Sequence, residues 1–499
     1  MYCEDVGAGR GRYLLLCLAL FALLWAHSWS DAWLGDFWIY TATVAEVAAS
    51  PLHPRHPLFG NDYAFAFLSP YTWALGLATR FSGLSPFQAV VMQGFVNLAL
   101  LAWAVYAFVA TWLRRPAASF YALLFILLVW GPDAWRFSGF FHLRSLVFVL
   151  PYPSTFAFAV ALGTLAWFPK LAQSGGLAWA GVVVPVMAVL WILHPVNGLF
   201  LTLGLVAASA ETARAPRHWA MLALAFAASL ALAFAWPLFS VPDLWFGQLG
   251  RVHEGNDTMY GEPFPKIAPA LLAAPWLLLR LRRNPRDPLA LLTLSLCVLV
   301  VFGGLSHQWT FGRLIAHVAI LLHVALADAT VFLEDRLRER RAALAPLLAP
   351  VFAALLIAAS WPARITPTLK ESWQGNPAWL SFLESRVQRY DVVLTDADTC
   401  WYVPTFRGKV VAFPMQLPFV PDHDERLQDV ARFFEAGVDE VERCDTIRQY
   451  GVSYLLLPKG HFAEAPQVLE ELRPIGKRIY ASADYELIDV SPACRDARR

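Results

Sequence analysis

Long apolar blocks recur along this 499-residue chain, near residues 13–28, 85–113, 119–132, 148–168, 177–193, 198–210, 218–238, 267–281, 288–305, 312–333 and 343–360. A hydrocarbon layer of roughly 30 Å is crossed by about 20 helical residues. Inside it no water can pair a stray backbone group, so a continuous apolar crossing of that length is a helix. The pattern therefore predicts a polytopic α-helical membrane protein with about eleven transmembrane helices. Charged residues make up 15% of the chain, well under the roughly 25% of an average soluble domain. The formal net charge of +1 gives no field that would gather nucleic acid.

The basic residues set the orientation. Arg114/Arg115, Lys170, Arg214/Arg217, Arg280/Arg282/Arg283/Arg286 and Arg336/Arg338/Arg340/Arg341 fall in short loops two spans apart. The positive-inside rule puts these loops and the N-terminus in the cytoplasm and the C-terminus outside, as in a bacterial inner membrane protein. The first block, behind Arg10 and Arg12, reads as a retained span. Trp29 and Trp33 suit interfacial anchors, and Ala26-His27-Ser28 is a poor cleavage site. The run 177–210 is too long for one helix, and His194-Pro195-Val196-Asn197-Gly198 divides it.

This places residues 1–360 in a transmembrane domain with a first outer loop at 30–84, and residues 361–499 in a small extracytoplasmic α/β domain. Within the loop, 64–82 reads as a helix lying along the interface. In the tail, short apolar runs at 391–395 and 452–457 read as buried strands. Polar helical stretches precede them at 376–389 and 424–450, which argues for a parallel core closed by a hairpin at 476–490. Cys17 and Cys297 lie in apolar blocks. Of the tail cysteines Cys400, Cys444 and Cys494, Cys400 and Cys444 are a candidate bridge.

Ionisable residues next to a bilayer are costly and so are functional candidates. Asp36 follows the first span directly, and Glu46, His53, His56 and Asp62 come soon after. A carboxylate there could take a proton from an acceptor hydroxyl; the plainer reading is that Asp31 and Asp36 end the span in water. Arg136, His142 and Arg144 share the outer loop 133–147, and Arg313 opens a later span. Outer arginines run against the positive-inside bias; either they bind a phosphate-bearing ligand or they snorkel to headgroups. Arg251 lies in a loop that Gly255 and Gly261 would let move as a lid. His194 and His307 are further candidates, more often structural at such positions. Asp396 and Asp398 either bind a cation or shape the turn after a strand. No phosphate loop, dinucleotide fingerprint or zinc helix occurs. No metal ligands are assigned, and use of a divalent metal stays open.

The layout as a whole resembles the GT-C glycosyltransferase superfamily. The likeness rests on the early aspartate, the run His56-Pro57-Leu58, the polytopic bundle and the outer α/β tail. In the tail, the stretches 393–404 and 448–456 are similar to the soluble part of many bacterial members. The resemblance implies a polyprenyl-phosphate-linked sugar donor and a glycan, lipid or protein acceptor. It makes Asp36 the general base, Asp62 or Glu46 a second acid, and Arg144, Arg313 or Arg251 the ligand of the leaving phosphate, with inversion at the anomeric carbon. Two other classes stay open: a transporter or lipid flippase, and a non-catalytic subunit of cell-envelope polysaccharide assembly.

Overall fold

Each of the apolar blocks read from the sequence holds a helix. They form Tyr2–Ser28, Pro86–Trp112, Ala118–Leu128, Pro153–Gln173, Ala178–Leu193, Pro195–Thr212, Pro216–Phe234, Pro288–Leu305, Leu314–Arg340 and Ala345–Ser360, together with the broken pair Pro263–Leu271 and Ala274–Arg283. The computed structural model describes every residue except 1, 31–32, 34, 174–177, 213–215, 247–254, 341–344, 373–378, 464–465, 491–493 and 495–499. Arg251 therefore lies outside the described residues, as do Asp31, Arg214 and Arg341. Among the described residues, 7 helices are long and apolar enough to cross a membrane, or 8 if the broken pair, bent by 57°, is one span. Ala118–Leu128, Trp179–Leu193 and Pro195–Glu211 are shorter apolar helices.

Many of these helices open on proline, whose missing N–H costs nothing in the first turn. The helix Leu314–Arg340 is the most deeply buried of the spans. It packs against Ala118–Leu128 and Pro288–Leu305. Its His323 donates from Nε2 to the Val129 carbonyl at 2.6 Å. The break at His194 is tied down by polar bonds. Asn197, just past it, donates to the Ser154 carbonyl at 3.0 Å and meets His317 Nε2 at 2.7 Å. Arg280 bridges Asp287 at 2.7 Å and Asp328 at 2.6 Å, so one arginine of a basic loop is neutralised where it enters the bundle.

The chain divides into two compact units, Met1–Ala32 with Val91–Gly375, and Trp33–Val90 with Asn376–Arg499. The second holds a five-stranded sheet of β1 (Val392–Leu394), β2 (Lys409–Val410), β3 (Val452–Pro458), β4 (Gly476–Ala481) and β5 (Tyr485–Val490), in the order β2-β1-β3-β5-β4. Strand β1 is parallel to β2 and β3, while β5 is antiparallel to both β3 and β4. The parallel core and closing hairpin expected from the sequence are both present. Leu394, Ile447, Leu455, Leu457, Leu472 and Ile488 centre its core.

Several local expectations change. In the stretch 376–389 the described residues hold only a 3₁₀ turn, Ser381–Ser385. The stretch 424–450 is two helices, His423–Phe433 and Glu440–Tyr450, separated by a turn in which Gly437 has φ +77°. The first outer loop is largely helical. It contains Asp36–Ala49, which the sequence reading did not foresee, and Pro70–Ser82. The second begins at Pro70, not at 64, because Ser69 and Thr72 form a capping box. The two helices pack closely: a Cβ on Gly76 would lie 2.5 Å from the Val47 side chain. The loop that follows the first helix runs beside β2, where Val410 N–H donates to the Leu58 carbonyl at 2.8 Å.

The cysteine pairing is also different. Cys444 bonds to Cys494, with their Cα atoms 4.8 Å apart. Cys400 is a free, buried thiol in the turn after β1 that donates to the Ala397 carbonyl at 3.1 Å. The bond joins the helix Glu440–Tyr450 to Cys494, and not to Cys400. Non-reducing peptide mapping is expected to recover a 444–494 crosslink, with Cys400 alkylated only after unfolding. The Cys444→Ser/Cys494→Ala pair is expected to cost the second unit about 2–4 kcal/mol in denaturant titration.

Candidate functional site

The helix Asp36–Ala49 carries the acidic candidates at its two ends. Asp36 is its first residue and partly exposed. A carboxylate in a first helical turn complements the helix dipole. Gly35 precedes it at φ +56°, ψ −126°, a conformation open in practice only to glycine. The turn is held by aromatic packing. Trp33 stacks on Phe37 at 4.4 Å, and the Trp38 indole N–H donates to the Trp33 carbonyl at 2.8 Å. Trp38 in turn meets Tyr402 at 4.8 Å.

At the other end, Glu46 is only 2% exposed. Its carboxylate accepts from Lys409 Nζ at 2.9 Å, from an Arg389 terminal nitrogen at 3.2 Å and from the Arg55 backbone N–H at 3.1 Å. Burial pushes its carboxyl up, but Lys409 and Arg389 outweigh that and hold it below the usual carboxylate range. Lys409 is equally buried, and its remaining donors reach the carbonyls of His56 and Pro57, each at 2.9 Å. Glu46 is thus the anchor of an ion pair.

His56 is buried and stacked on Phe59 at 4.9 Å. Its Nδ1 accepts the backbone N–H of Phe59 at 3.0 Å. Burial, reinforced by Lys409 and Arg426, lowers its pKa to about 3, so the ring is neutral. Asp62 and His53 are exposed. Asp396 closes the turn after β1, accepting from the backbone N–H groups of Asp398 and Thr399 at 2.8 Å each and from the Thr399 hydroxyl at 2.8 Å. Its ligand atoms lie with those of Asp398 and His461 within 4.8 Å of one another, a grouping of metal-type ligands without a disulfide cysteine. These bonds already account for the carboxylate as a turn-former.

In the first unit the arginines of the 133–147 loop converge on one acid. Arg136 meets Glu371 at 3.1 Å and Arg144 meets its other oxygen at 3.4 Å. Arg364 donates to the carbonyls of Trp130 and Gly131, the latter at 2.8 Å. His142 is buried with Nε2 against the Trp135 carbonyl at 2.9 Å. Burial, with the charges of Arg364, Arg136 and Arg144, lowers its pKa to about 4. A neutral imidazole therefore lies within the influence of three guanidinium groups, two of which share the Glu371 carboxylate. That is an electropositive basin able to take an anion. Arg313 donates to Asn256 and to the Ser138 hydroxyl of the same loop, both at 3.0 Å. His194 sits at the helix break, its backbone N–H on the Leu190 carbonyl at 2.9 Å. Sequence reasoning missed Lys409, Arg389, Arg364 and Glu371, all of which are distant in the chain from the residues they meet.

No protein-family model and no curated protein matches the sequence. Solved structures do match in fold. The chain is similar to the Archaeoglobus fulgidus oligosaccharyltransferase at 14% identity and TM-score 0.59, over 92% of this chain and 71% of that one. It is similar to ArnT from Cupriavidus metallidurans at 15% identity and TM-score 0.53, over 98% and 99%. It is also similar to the mycobacterial arabinofuranosyltransferase AftD at 16% identity and TM-score 0.54, over 97% of this chain and 40% of that one. The chain therefore has the GT-C fold of polytopic membrane glycosyltransferases.

The buried pair can be probed directly. Glu46 is held below its ordinary value of 4.5, so near that pH the folded state binds fewer protons than the unfolded chain. The stabilisation is complete above about pH 4.5 and is lost as pH falls through the depressed value. Lys409→Met is expected to destabilise the protein by about 3–5 kcal/mol, because it strands a buried carboxylate. Adding Glu46→Leu is expected to recover part of that loss and to flatten the acid limb of a stability–pH curve.

Proposed function

We propose that this GT-C-fold protein is a membrane glycosyltransferase. It moves a sugar from a polyprenyl-phosphate donor to an acceptor hydroxyl on the extracytoplasmic face of a bacterial inner membrane. The observation that carries the reading is the fold likeness along 97% of the chain to ArnT solved with undecaprenyl phosphate. The archaeal oligosaccharyltransferase solved with dolichol-phosphate and an inhibitory peptide adds to it. The basin of Arg136, Arg144 and Arg364 supplies the chemistry that a lipid phosphate needs.

In this reading the Asp36 carboxylate takes the proton of the acceptor hydroxyl. The hydroxyl oxygen attacks the anomeric carbon from the side opposite the phosphate. The bond from that carbon to the phosphate oxygen breaks, and polyprenyl phosphate leaves with the electron pair. Arg144 and Arg136, with Arg313 as a further candidate, hold the charge that develops on it. Glu371 is the resident counterion that the phosphate displaces. Asp62 is the remaining second-acid candidate, because Glu46 is committed to its ion pair.

Asp36→Asn is expected to lower transfer by about 10²–10⁴-fold while leaving the thermal unfolding profile unchanged. Full transfer by this variant, from a defined polyprenyl-phosphate sugar, would sink the reading. Arg136→Gln/Arg144→Gln is expected to raise KM for the lipid donor by about tenfold or more, and Glu371→Gln to lower it. NMR of the product should show the inverted anomer.

A further inference from the structure

A cavity of about 350 Å³ lies within the second unit, in the size range of small-molecule sites. Asp36 does not line it. The helix Asp36–Ala49 supplies one wall through Ala45 and Glu46, and the segment leading into β2 supplies another through Arg407 and Lys409. Arg389 and Glu384 complete its charged lining, which holds three cations against two carboxylates. One positive charge is left uncompensated.

The charges are not equivalent. Lys409 directs its donors to Glu46, His56 and Pro57, so it is fully occupied. Glu46 is occupied by Lys409, Arg389 and Arg55. The hydrogen bonds of Arg389 all leave from one terminal nitrogen, to the carbonyls of Ala45 and Glu46 and to the Glu46 carboxylate. Its Nε and other terminal nitrogen make no hydrogen bond among the described residues, and the guanidinium lies 5.5 Å from the centre of the Tyr390 ring. The Arg407 side chain is exposed and makes no hydrogen bond or ion pair among them. Gly408 separates the two roles. At φ +98°, with Val393 2.9 Å from where a Cβ would stand, it turns the chain so that Arg407 stays exposed while Lys409 is buried. Two guanidinium forks, each with unspent donors, thus border a pocket with a surplus positive charge and one exposed carboxylate, Glu384.

We infer that this cavity binds a sugar bearing an oxyanion, a carboxylate or a phosphate, held by Arg389 and Arg407, with Glu384 taking a neighbouring hydroxyl. Forked donors match planar carboxylate or phosphate oxygens, and the mixed lining suits a polyhydroxylated ring. Calling that sugar part of the acceptor rests on the glycosyltransferase reading; the binding itself does not.

The test uses the full chain in lipid nanodiscs and titration calorimetry with three probes: a glucuronate-containing disaccharide, its carboxyl-reduced neutral counterpart, and glucose 6-phosphate. The expected result is that a charged probe binds at least about tenfold more tightly than the neutral one, with the affinity falling as salt rises. The tighter of the two charged probes identifies the anion. Arg407→Gln, which breaks no internal bond, is expected to remove most of this preference, and Glu384→Gln to strengthen it. Equal affinity for neutral and charged probes, no binding by any of the three, or an Arg407→Gln protein that keeps the preference would each overturn the inference. Because binding is read without turnover, these results are separate from the Asp36→Asn assay. Full transfer by that variant would remove the catalytic reading and leave a measured anion preference standing.

Discussion

The second unit is organised around a buried ammonium. Lys409 is 3% exposed, and a charge so far from water costs several kcal/mol unless its donors are met. All three are met, by the Glu46 carboxylate and two backbone carbonyls. These partners come from the helix Asp36–Ala49 and the loop after it, while Lys409 begins β2. One side chain therefore fixes a segment early in the chain to a sheet formed near its end. The neighbouring Val410–Leu58 hydrogen bond extends that junction along the backbone. Asp36 lies ten residues before Glu46 on one helix, about 15 Å along its axis. Fixing the far end of that helix fixes the line along which the candidate base is presented.

What could be read from the sequence follows the strength of each constraint. The bilayer demands long apolar helices, so those blocks were visible, and Pro195 marked the break that divides the 177–210 run. The strands β1 and β3 stood out as short apolar runs, since a parallel strand is covered on both faces. The helix Asp36–Ala49 was not visible. Its buried residues run almost continuously from Phe37 to Val44 and include Glu46 and Val47. A helix buried all round has no polar stripe and so no amphipathic signature. Cysteine spacing could not choose between Cys400 and Cys494 as the partner of Cys444, because that choice depends on where the chain passes after β5.

The candidate site shows the same division. Asp36, Arg144 and Arg136 were legible as costly residues at the edge of a membrane. Their environment was not. Glu46 reads in the sequence as one more acid beside Asp36, and its commitment to Lys409 spans 363 positions. Glu371 gives no sign in the sequence that it closes on two arginines. In the fold it keeps the basin from being an open cluster of like charges. Arg136 and Arg144 share its two oxygens, while His142 stays neutral and adds no charge. A carboxylate carries one negative charge and two oxygens. The departing polyprenyl phosphate, a monoester, offers more of both, whereas the donor's phosphodiester matches the carboxylate, so these guanidinium groups favour the charge as it develops without requiring new ones.

The same electrostatics separate the acids by role. A general base must hold a proton well enough to take it from a hydroxyl, and a carboxylate clamped by cations loses that capacity as its charged form is stabilised. Glu46, held by Lys409 and Arg389 below the usual carboxylate range, is built to remain an anion. Its removal from the catalytic candidates is therefore a consequence of the ion pair. Asp36 is set instead at a helix start behind a glycine-only turn, where packing of Trp33, Phe37 and Trp38 positions the backbone. One acid on this helix secures the scaffold, and in the proposed reading the other takes the proton.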